Sequence, residues 1–236
     1  MYLMCITVIC NYEKGYRLIA NKPIAMDLAR RVPQQARGKR AIEKIVAASY
    51  NILITDGIGG LTTRKIALAA GVSAGVLYQY FPSKQAVLYR VFDERLQLAL
   101  AVLDTATDDP SQPLETMFKR FFVLQQQAGI PNRLDLELRN AVDRDPILAE
   151  MTQHFERDLS VRYIQILKAH GATMTDGELN ALANYMHELD HINIKLQLHA
   201  SKEERKLHAE TTMSIFYSLI SRSGAFDGES ALEPKI

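Results

Sequence analysis

The sequence predicts an all-α protein built from a small helical head and a larger helical body, and three observations predict it. Proline is scarce, at 8 of 236 residues, and glycine modest, at 12, while long stretches are rich in Leu, Ala, Glu, Gln, Arg and Lys, which lose least on entering a helix. Ser and Thr residues repeatedly stand just before apolar residues that recur at three-and-four spacing, the arrangement of a capped amphipathic helix. Charge is divided along the chain. Residues 30–90 hold ten Lys or Arg against two acids, a net +8, whereas residues 91–236 hold 15 bases and 23 acids, a net −8, inside a chain of net charge +1.

That asymmetry suggests a nucleic-acid-binding head on an acidic body, with a chance cluster of solvated charges as the plain alternative. The length suits one compound domain or a small domain fused to a larger one, enough to bury a substantial core. Apolar residues at 47% and charged residues at 23% are ordinary for a soluble protein. The two cysteines, Cys5 and Cys10, offer neither a metal-type spacing nor a disulfide framework for the body, which fits a reducing cytoplasm. Met1–Cys10 is apolar but lacks a basic start, and it is far shorter than the roughly 20 residues a membrane span takes. A cytoplasmic protein with no membrane partner is expected. Residues 1–33 read as an N-terminal extension. It is either a flexible segment or one lying partly upstream of a biological start at Met26.

The elements follow in order. Ile42, Ile45, Val46, Ser49 and Leu53 share one face of a first helix, which Asp56-Gly57-Ile58-Gly59-Gly60 ends with glycines able to take positive φ. Thr62 caps a short helix over Thr63–Ala70, Gly71 makes a tight turn, and Ser73 caps a second short helix over Ala74–Tyr80. Pro82-Ser83 stops it and opens a longer helix from Lys84 to about Thr107. Ser111 with Pro113 starts the next, through about Ala128. A Gly129-Ile130-Pro131 connector leads to a helix over 132–143, and Asp145-Pro146 opens a long helix that closes at Gly171. Thr175-Asp-Gly-Glu178 and Ser201-Lys-Glu-Glu204 are capping boxes for the last two helices, and a tail begins at Gly224. The expected domains are thus 34–83 for the head and 84–223 for the body, between the extension and a tail of 224–236.

Leu61–Lys84 reads as a helix-turn-helix. Ile66, Ala67, Ala70, Val72, Val76 and Leu77 can pack together and onto the preceding helix, projecting the second short helix outward with its N-terminal residues free to meet base edges in a major groove. The outward positions are expected to be Ala74, Gly75, Tyr78, Gln79 and Tyr80. Their small side chains allow close backbone approach, and the tyrosines can reach phosphates or sugars. Arg64 is the best guanine reader, while Thr63, Lys84 and the arm Arg37-Gly-Lys39-Arg40 can meet phosphates. Ser73, at the N-terminus of the second helix, joins this set. The alternative is a helix-turn-helix used only for packing.

Here the sequence resembles the TetR family of repressors, over nearly the whole chain and most specifically over 35–88. The residues that carry the resemblance are the basic arm, then Gly60-Leu-Thr-Thr-Arg-Lys-Ile-Ala67, then Ala70-Gly-Val-Ser-x-Gly-x-Leu-Tyr-x-Tyr-Phe-Pro-Ser-Lys84. The resemblance implies that Thr63, Tyr78, Tyr80 and Lys84 contact phosphates while Arg64, Ala74, Gly75 and Val76 face bases. It also implies a body that binds a small molecule and a homodimer closed by the last two long helices. The N-terminal extension departs from the family pattern, which starts shortly before the first helix.

In the body, Leu179, Leu182, Met186, Leu189 and Leu196 recur at helical spacing on the Thr175 helix, and Leu207, Ile215, Leu219 and Ile220 line part of the last. Such stripes want a partner. Leu182, Met186, Leu189, Leu196, Ile215 and Leu219 are the candidate dimer contacts, with an intrachain core as the alternative. Candidate ligand-lining residues are Met117, Phe118, Phe121, Phe122, Phe155, Tyr163, Tyr185 and His187, although aromatics at helical spacing are more often core. The acidic body favours an apolar effector that is neutral or cationic.

One motif points elsewhere. His187-Glu188-Leu-Asp-His191 matches the H-E-x-x-H spacing that puts two zinc ligands on one helical face, with Glu188 as a possible base. A zinc-dependent hydrolase is therefore the alternative function. Against it, Ile194 and Gln197 stand where the extended protease pattern needs Gly and His, and Asp190 puts a charge in the motif's middle. A dimer-interface pair, polar lining of the ligand cavity, or a structural or regulatory metal are the other readings. Gly57-x-Gly-Gly lacks the lysine of a phosphate loop, and no spacing marks a catalytic triad. The sequence therefore predicts a non-enzymatic regulator without catalytic residue, cofactor or assigned metal. Its expected partners are a palindromic DNA operator, a second copy of the chain and a small-molecule effector.

Overall fold

The computed structural model describes residues 36–129, 133–198 and 200–225. The N-terminal extension, the Ile130-Pro131 connector and all but the first residues of the C-terminal tail lie outside the described residues. Among those described there are nine α-helices and no strand: α1 (Ala36–Gly60), α2 (Thr63–Ala70), α3 (Ala74–Tyr80), α4 (Lys84–Ala106), α5 (Leu114–Gln127), α6 (Arg133–Val142), α7 (Pro146–Ala169), α8 (Asp176–Gln197) and α9 (Lys202–Arg222). None of them is long and apolar enough to cross a membrane.

The breaks fall where the local chemistry demands them. Gly57 sits at φ 70° and interrupts α1, which then continues as a short turn to Gly60. The Thr62 hydroxyl accepts the Lys65 N–H at 3.2 Å and the Ser73 hydroxyl accepts that of Val76 at 3.2 Å, so α2 and α3 each begin on a side-chain cap. Ser83 does the same for α4 through the Ala86 N–H at 3.2 Å. Gly71 closes α2 at φ 64°, where its N–H donates to Leu68 and the next N–H to the Ala67 carbonyl. α5 departs from expectation. It begins at Leu114 with no side-chain cap, because Pro113, which has no side-chain acceptor, holds the capping position, while the Ser111 hydroxyl donates to Asp109 at 2.6 Å.

The chain divides into two compact units. Among the described residues the first comprises 36–99 and 133–152, and the second 100–129, 153–198 and 200–225. In the first unit Ile45, Leu53, Leu61, Ile66, Leu77, Phe81 and Val87 form a continuous core. The helix α6 and the start of α7 join it, although the sequence alone groups them with the body. The reason is visible in the side chains: Leu134, Leu138, Leu148 and Met151 are buried in this same core. Polar clamps reinforce it. Arg95 donates to both oxygens of Asp135 at 2.7 and 2.9 Å, Tyr89 donates to Asp145 at 2.9 Å, and Arg133 reaches the Thr55 carbonyl at 3.2 Å. Burial first, then the hydrogen bond to Asp145, pushes the Tyr89 hydroxyl up to about 12, so it remains a donor.

The second unit holds α5, α8, α9 and the C-terminal parts of α4 and α7. Both expected capping boxes form, Thr175 with Glu178 and Ser201 with Glu204. Its core is aromatic. Phe118 lies edge-on to Phe216 at 5.7 Å and faces Tyr163 at 6.2 Å, and Phe122 packs edge-on to Phe216 at 5.4 Å.

Candidate functional site

In the first unit, α2 and α3 form two arms of a bihelical motif held against α1. Ile66, Ala67, Ala70 and Leu77 are buried along the seam, and Val72 and Val76 are half-buried at its edge. With its apolar side fixed there, α3 presents Ser73, Ala74, Gly75, Tyr78 and Gln79 to solvent. Arg64 is exposed at the start of α2, Thr63 is half-exposed beside it, and Lys84 is exposed at the start of α4. Arg37, Lys39 and Arg40 are exposed at the start of α1. The hydroxyls of Tyr78 and Thr63 meet at 3.3 Å, which ties the two arms together at the exposed edge. The first unit therefore exposes three capped helix starts, each with backbone N–H groups free of intrahelical partners, together with five cations of the arm and α2 and Lys84 of α4. Helix starts and cations together are how proteins hold phosphate oxygens.

Tyr80 is the exception. It was expected on the outward face, but it is only 9% exposed and belongs to the core. The residues of α3 that pack inward fall at 76, 77 and 80, one helical turn apart, and this phase takes the Tyr80 ring with it. Below Lys84 an open cleft of about 480 Å³ is lined by Ile58, Leu61, Leu88, Glu137, Arg144 and Asp145. Its charges are of both signs, so it is no anion pocket.

In the second unit the structure gathers Met117, Phe118, Phe121, Phe122 and Tyr163 into the aromatic core, all nearly fully buried. Phe216 completes that cluster and escaped the sequence reading, because its α9 stripe suggested an interface instead. Phe155 lies apart from these rings, edge-on to His187 at 5.7 Å. Tyr185 was expected to line the pocket, yet it is 71% exposed. It stands on the outer face of α8, nearly opposite the buried Ala183, Met186 and His187. Polar groups thread the same interior: Gln125 donates to Asp190 at 3.0 Å and Gln197 to Asn193 at 2.8 Å. Burial, and then the Asp190 charge, hold the Tyr163 hydroxyl well above its usual range, so it stays neutral.

The candidate dimer residues separate into two groups. Leu182 and Met186 are buried within their own chain, which corrects the expectation that they form the interface: their face of α8 is the one turned to the core. Leu189 and Leu219 are half-buried, and Leu196 and Ile215 are 46% and 42% exposed. Tyr185 and Ile192 on α8 and Leu207 on α9 are also exposed. Of these the sequence reading named Leu207 in its α9 stripe, placed Tyr185 in the pocket instead, and missed Ile192, which the spacing could have found had the outward phase of α8 been known. His187, Glu188 and His191 are brought together, with donor atoms within 4.8 Å of one another.

The comparisons with known proteins agree with this geometry. The family model of bacterial regulatory proteins of the tetR family matches residues 45–102, which begin within α1 and run through α2 and α3 into α4. The HTH-type transcriptional regulator CymR of Pseudomonas putida is 30% identical over 159 residues, covering 61% of this chain and 75% of that protein. Among solved structures, a TetR transcription regulator from Haloarcula marismortui superposes with a TM-score of 0.65 at 16% identity, covering 78% of this chain and 98% of that one. A transcriptional regulator from Rhodococcus does so with a TM-score of 0.64 at 17% identity, covering 77% and 96%. The multidrug binding protein EbrR, solved in complex with proflavin, shares the fold with a TM-score of 0.54 at 18% identity, covering 76% and 99%. The helix-turn-helix, the all-helical body and the extent of the CymR match lead to one conclusion: this chain belongs to the tetR family of bacterial regulatory proteins and is a transcriptional regulator.

Proposed function

We propose that the protein is a repressor that binds a palindromic operator as a homodimer and is released by a small-molecule effector. The observation that carries the reading is the bihelical motif of α2 and α3, which exposes two side-chain-capped helix starts with Arg64, Ser73 and the paired hydroxyls of Thr63 and Tyr78. Thr63, Tyr78, Lys84 and the arm Arg37, Lys39 and Arg40 hold phosphates and fix register, and Arg64 reads a guanine. Ser73, Ala74, Gly75 and Val76 bring the α3 backbone close to the bases. Functionally, 34–83 is the DNA-binding domain and 84–223 the effector and dimer domain, a division by task that need not follow the packing of α6 onto the head.

The effector is an apolar molecule, neutral or cationic, held among Met117, Phe118, Phe121, Phe122, Phe155 and Tyr163, with His187 as a polar anchor. Proflavin bound to EbrR, a protein of the same fold, supports a small-molecule role for such a body. The effector acts by binding one arrangement of the dimer better than the other, a coupling typically worth about 1–3 kcal/mol. The test is binding to the DNA upstream of the protein's own gene, at two salt concentrations, against scrambled DNA of equal length. Tight, sequence-selective and salt-sensitive binding is the expected result. Binding that is weak and equal on both DNAs would count against own-gene repression.

A further inference from the structure

Of the motif His187-Glu188-Leu-Asp-His191 the proposed function takes up only Leu189, on the candidate dimer stripe, and His187, beside the effector; Glu188 and His191 are left over. His187 is only 7% exposed, and its Nε2 is buried with no hydrogen-bond partner. Oε1 of Glu156 on α7 stands 3.7 Å from that nitrogen, too far for a hydrogen bond. A buried ring nitrogen left in this state calls for an occupant. One turn along α8, the His191 ring stands 4.0 Å from that of His187, centroid to centroid. The donor atoms of His187, Glu188 and His191 lie within 4.8 Å of one another.

From this juxtaposition we propose that His187, Glu188 and His191 form a site for a divalent transition metal of the zinc class, with Glu156, 3.7 Å from His187 Nε2, as a fourth ligand. The spacing suits it. Two ligands about 2.0–2.1 Å from a tetrahedral ion stand roughly 3.4 Å apart, so the separation of His187 Nε2 from Glu156 Oε1 closes to that value with a small side-chain shift. Imidazole mixed with carboxylate selects Zn²⁺, Co²⁺ or Ni²⁺ over Mg²⁺ or Ca²⁺, which take oxygen ligands. Two neutral imidazoles and two carboxylates balance the double charge of the ion. Glu156 is about two-fifths exposed and Glu188 lies at the surface, so the ion has a path in. Asp190 is held by Gln125 and is not counted among the ligands. All four proposed ligands lie in the second unit, so the site does not depend on how the operator is bound, and no reaction is assigned to it.

The experiment titrates the chelator-treated full chain with Co²⁺ alone and then displaces it with Zn²⁺, following the visible bands of the bound cobalt and the metal content after dialysis. One equivalent per chain is expected, with Co²⁺ bands that Zn²⁺ abolishes. His187→Ala and His191→Gln should each weaken binding by more than about 100-fold, beyond what loss of an outer-shell partner does, and Glu156→Gln by about 10-fold or more. His191→Gln lies at a half-buried position and keeps the test valid should His187→Ala fail to fold, with circular dichroism reporting the fold of each. Absence of stoichiometric metal in the wild type would overturn the proposal. So would a folded His191→Gln variant that binds as tightly as the wild type.

Discussion

Arg64 and Lys84 are both exposed cations on the same face, yet their positions give them different work. Arg64 stands at the start of α2 next to Thr63, whose hydroxyl meets that of Tyr78 on α3, and a planar fork there can take both acceptors of a guanine edge. Lys84 begins α4, where a point charge adds to the helix start and suits a phosphate. Arg64→Ala should therefore cost operator binding about 1–3 kcal/mol and relax preference at one base pair, whereas Lys84→Ala should weaken all sequences alike and lower the salt slope by about 1. Binding isotherms on an operator and on single-base variants, at several salt concentrations, separate the two. A Lys84→Ala variant with an unchanged slope would remove that residue from the phosphate set. Gly71 is a residue of another kind. A Cβ there would meet nothing, so its cost is conformational alone, from a φ of 64°. Gly71→Ala should destabilise the fold by about 1–2 kcal/mol, and Gly71→Asn by less, in chemical denaturation.

At the scale of the element, the last two helices depend on their starts. The Glu178 carboxyl accepts the Thr175 hydroxyl at 2.7 Å and its N–H at 2.9 Å, and the Glu204 carboxyl accepts the Ser201 N–H at 2.7 Å. These bonds hold both carboxyls below their ordinary value of 4.5, led by the Thr175 hydroxyl for Glu178 and by the Ser201 N–H for Glu204. A lowered carboxyl contributes stability that is full above 4.5 and disappears as pH falls through the lowered value. The thermal midpoint of the wild type should therefore exceed that of a Glu178→Gln, Glu204→Gln double variant at neutral pH, with the gap closing below pH 4.5. A gap that persisted in acid would show that the carboxylate charge is not what the caps use. Thr175→Ala alone should cost about 1 kcal/mol at neutral pH.

These caps were legible in the sequence because a cap is a local bargain between four residues. So were the starts of α2, α3 and α4 and the left-handed turn at Gly71. What was not legible was phase and partnership. Periodicity says that one face of a helix is buried but not against what. For that reason Leu182 and Met186 read as interface when they are core, Tyr185 read as pocket when it is surface, and Tyr80 read as outward when it is packed. The sequence also could not show that Leu134 and Leu138 of α6 complete the core of the head, since that contact joins residues far apart in the chain. The exposed starts of α2 and α3 were readable because they follow from local turns, whereas the aromatic core of the second unit depends on which rings meet, and Phe216 entered only with the fold.

At the scale of the whole molecule, the question is what covers the outer faces of α8 and α9. Tyr185, Leu189, Ile192 and Leu196 recur at intervals of four, three and four along α8, with Tyr185 71%, Ile192 54% and Leu196 46% exposed. Leu207 and Ile215 are exposed on α9, at 60% and 42%. α8 and α9 pack against each other, so exposed apolar side chains stand on two neighbouring helices. Such side chains suit an interaction site, and a second copy laying the same two helices against them would close a four-helix bundle. Two heads are also what a palindrome needs, since its half-sites are one helical turn of DNA apart or a multiple of it. Replacing Ile192 and Leu196 together by Asp should thus yield a folded monomer in sedimentation, because both side chains leave no cavity in the core. Its affinity for an operator should drop toward that for scrambled DNA, while each isolated head keeps its weak, salt-sensitive attraction to the phosphate backbone. A variant that stayed dimeric would move the interface away from this stripe, and a monomer that still bound a full operator tightly would mean that two-headed binding is not the source of its affinity.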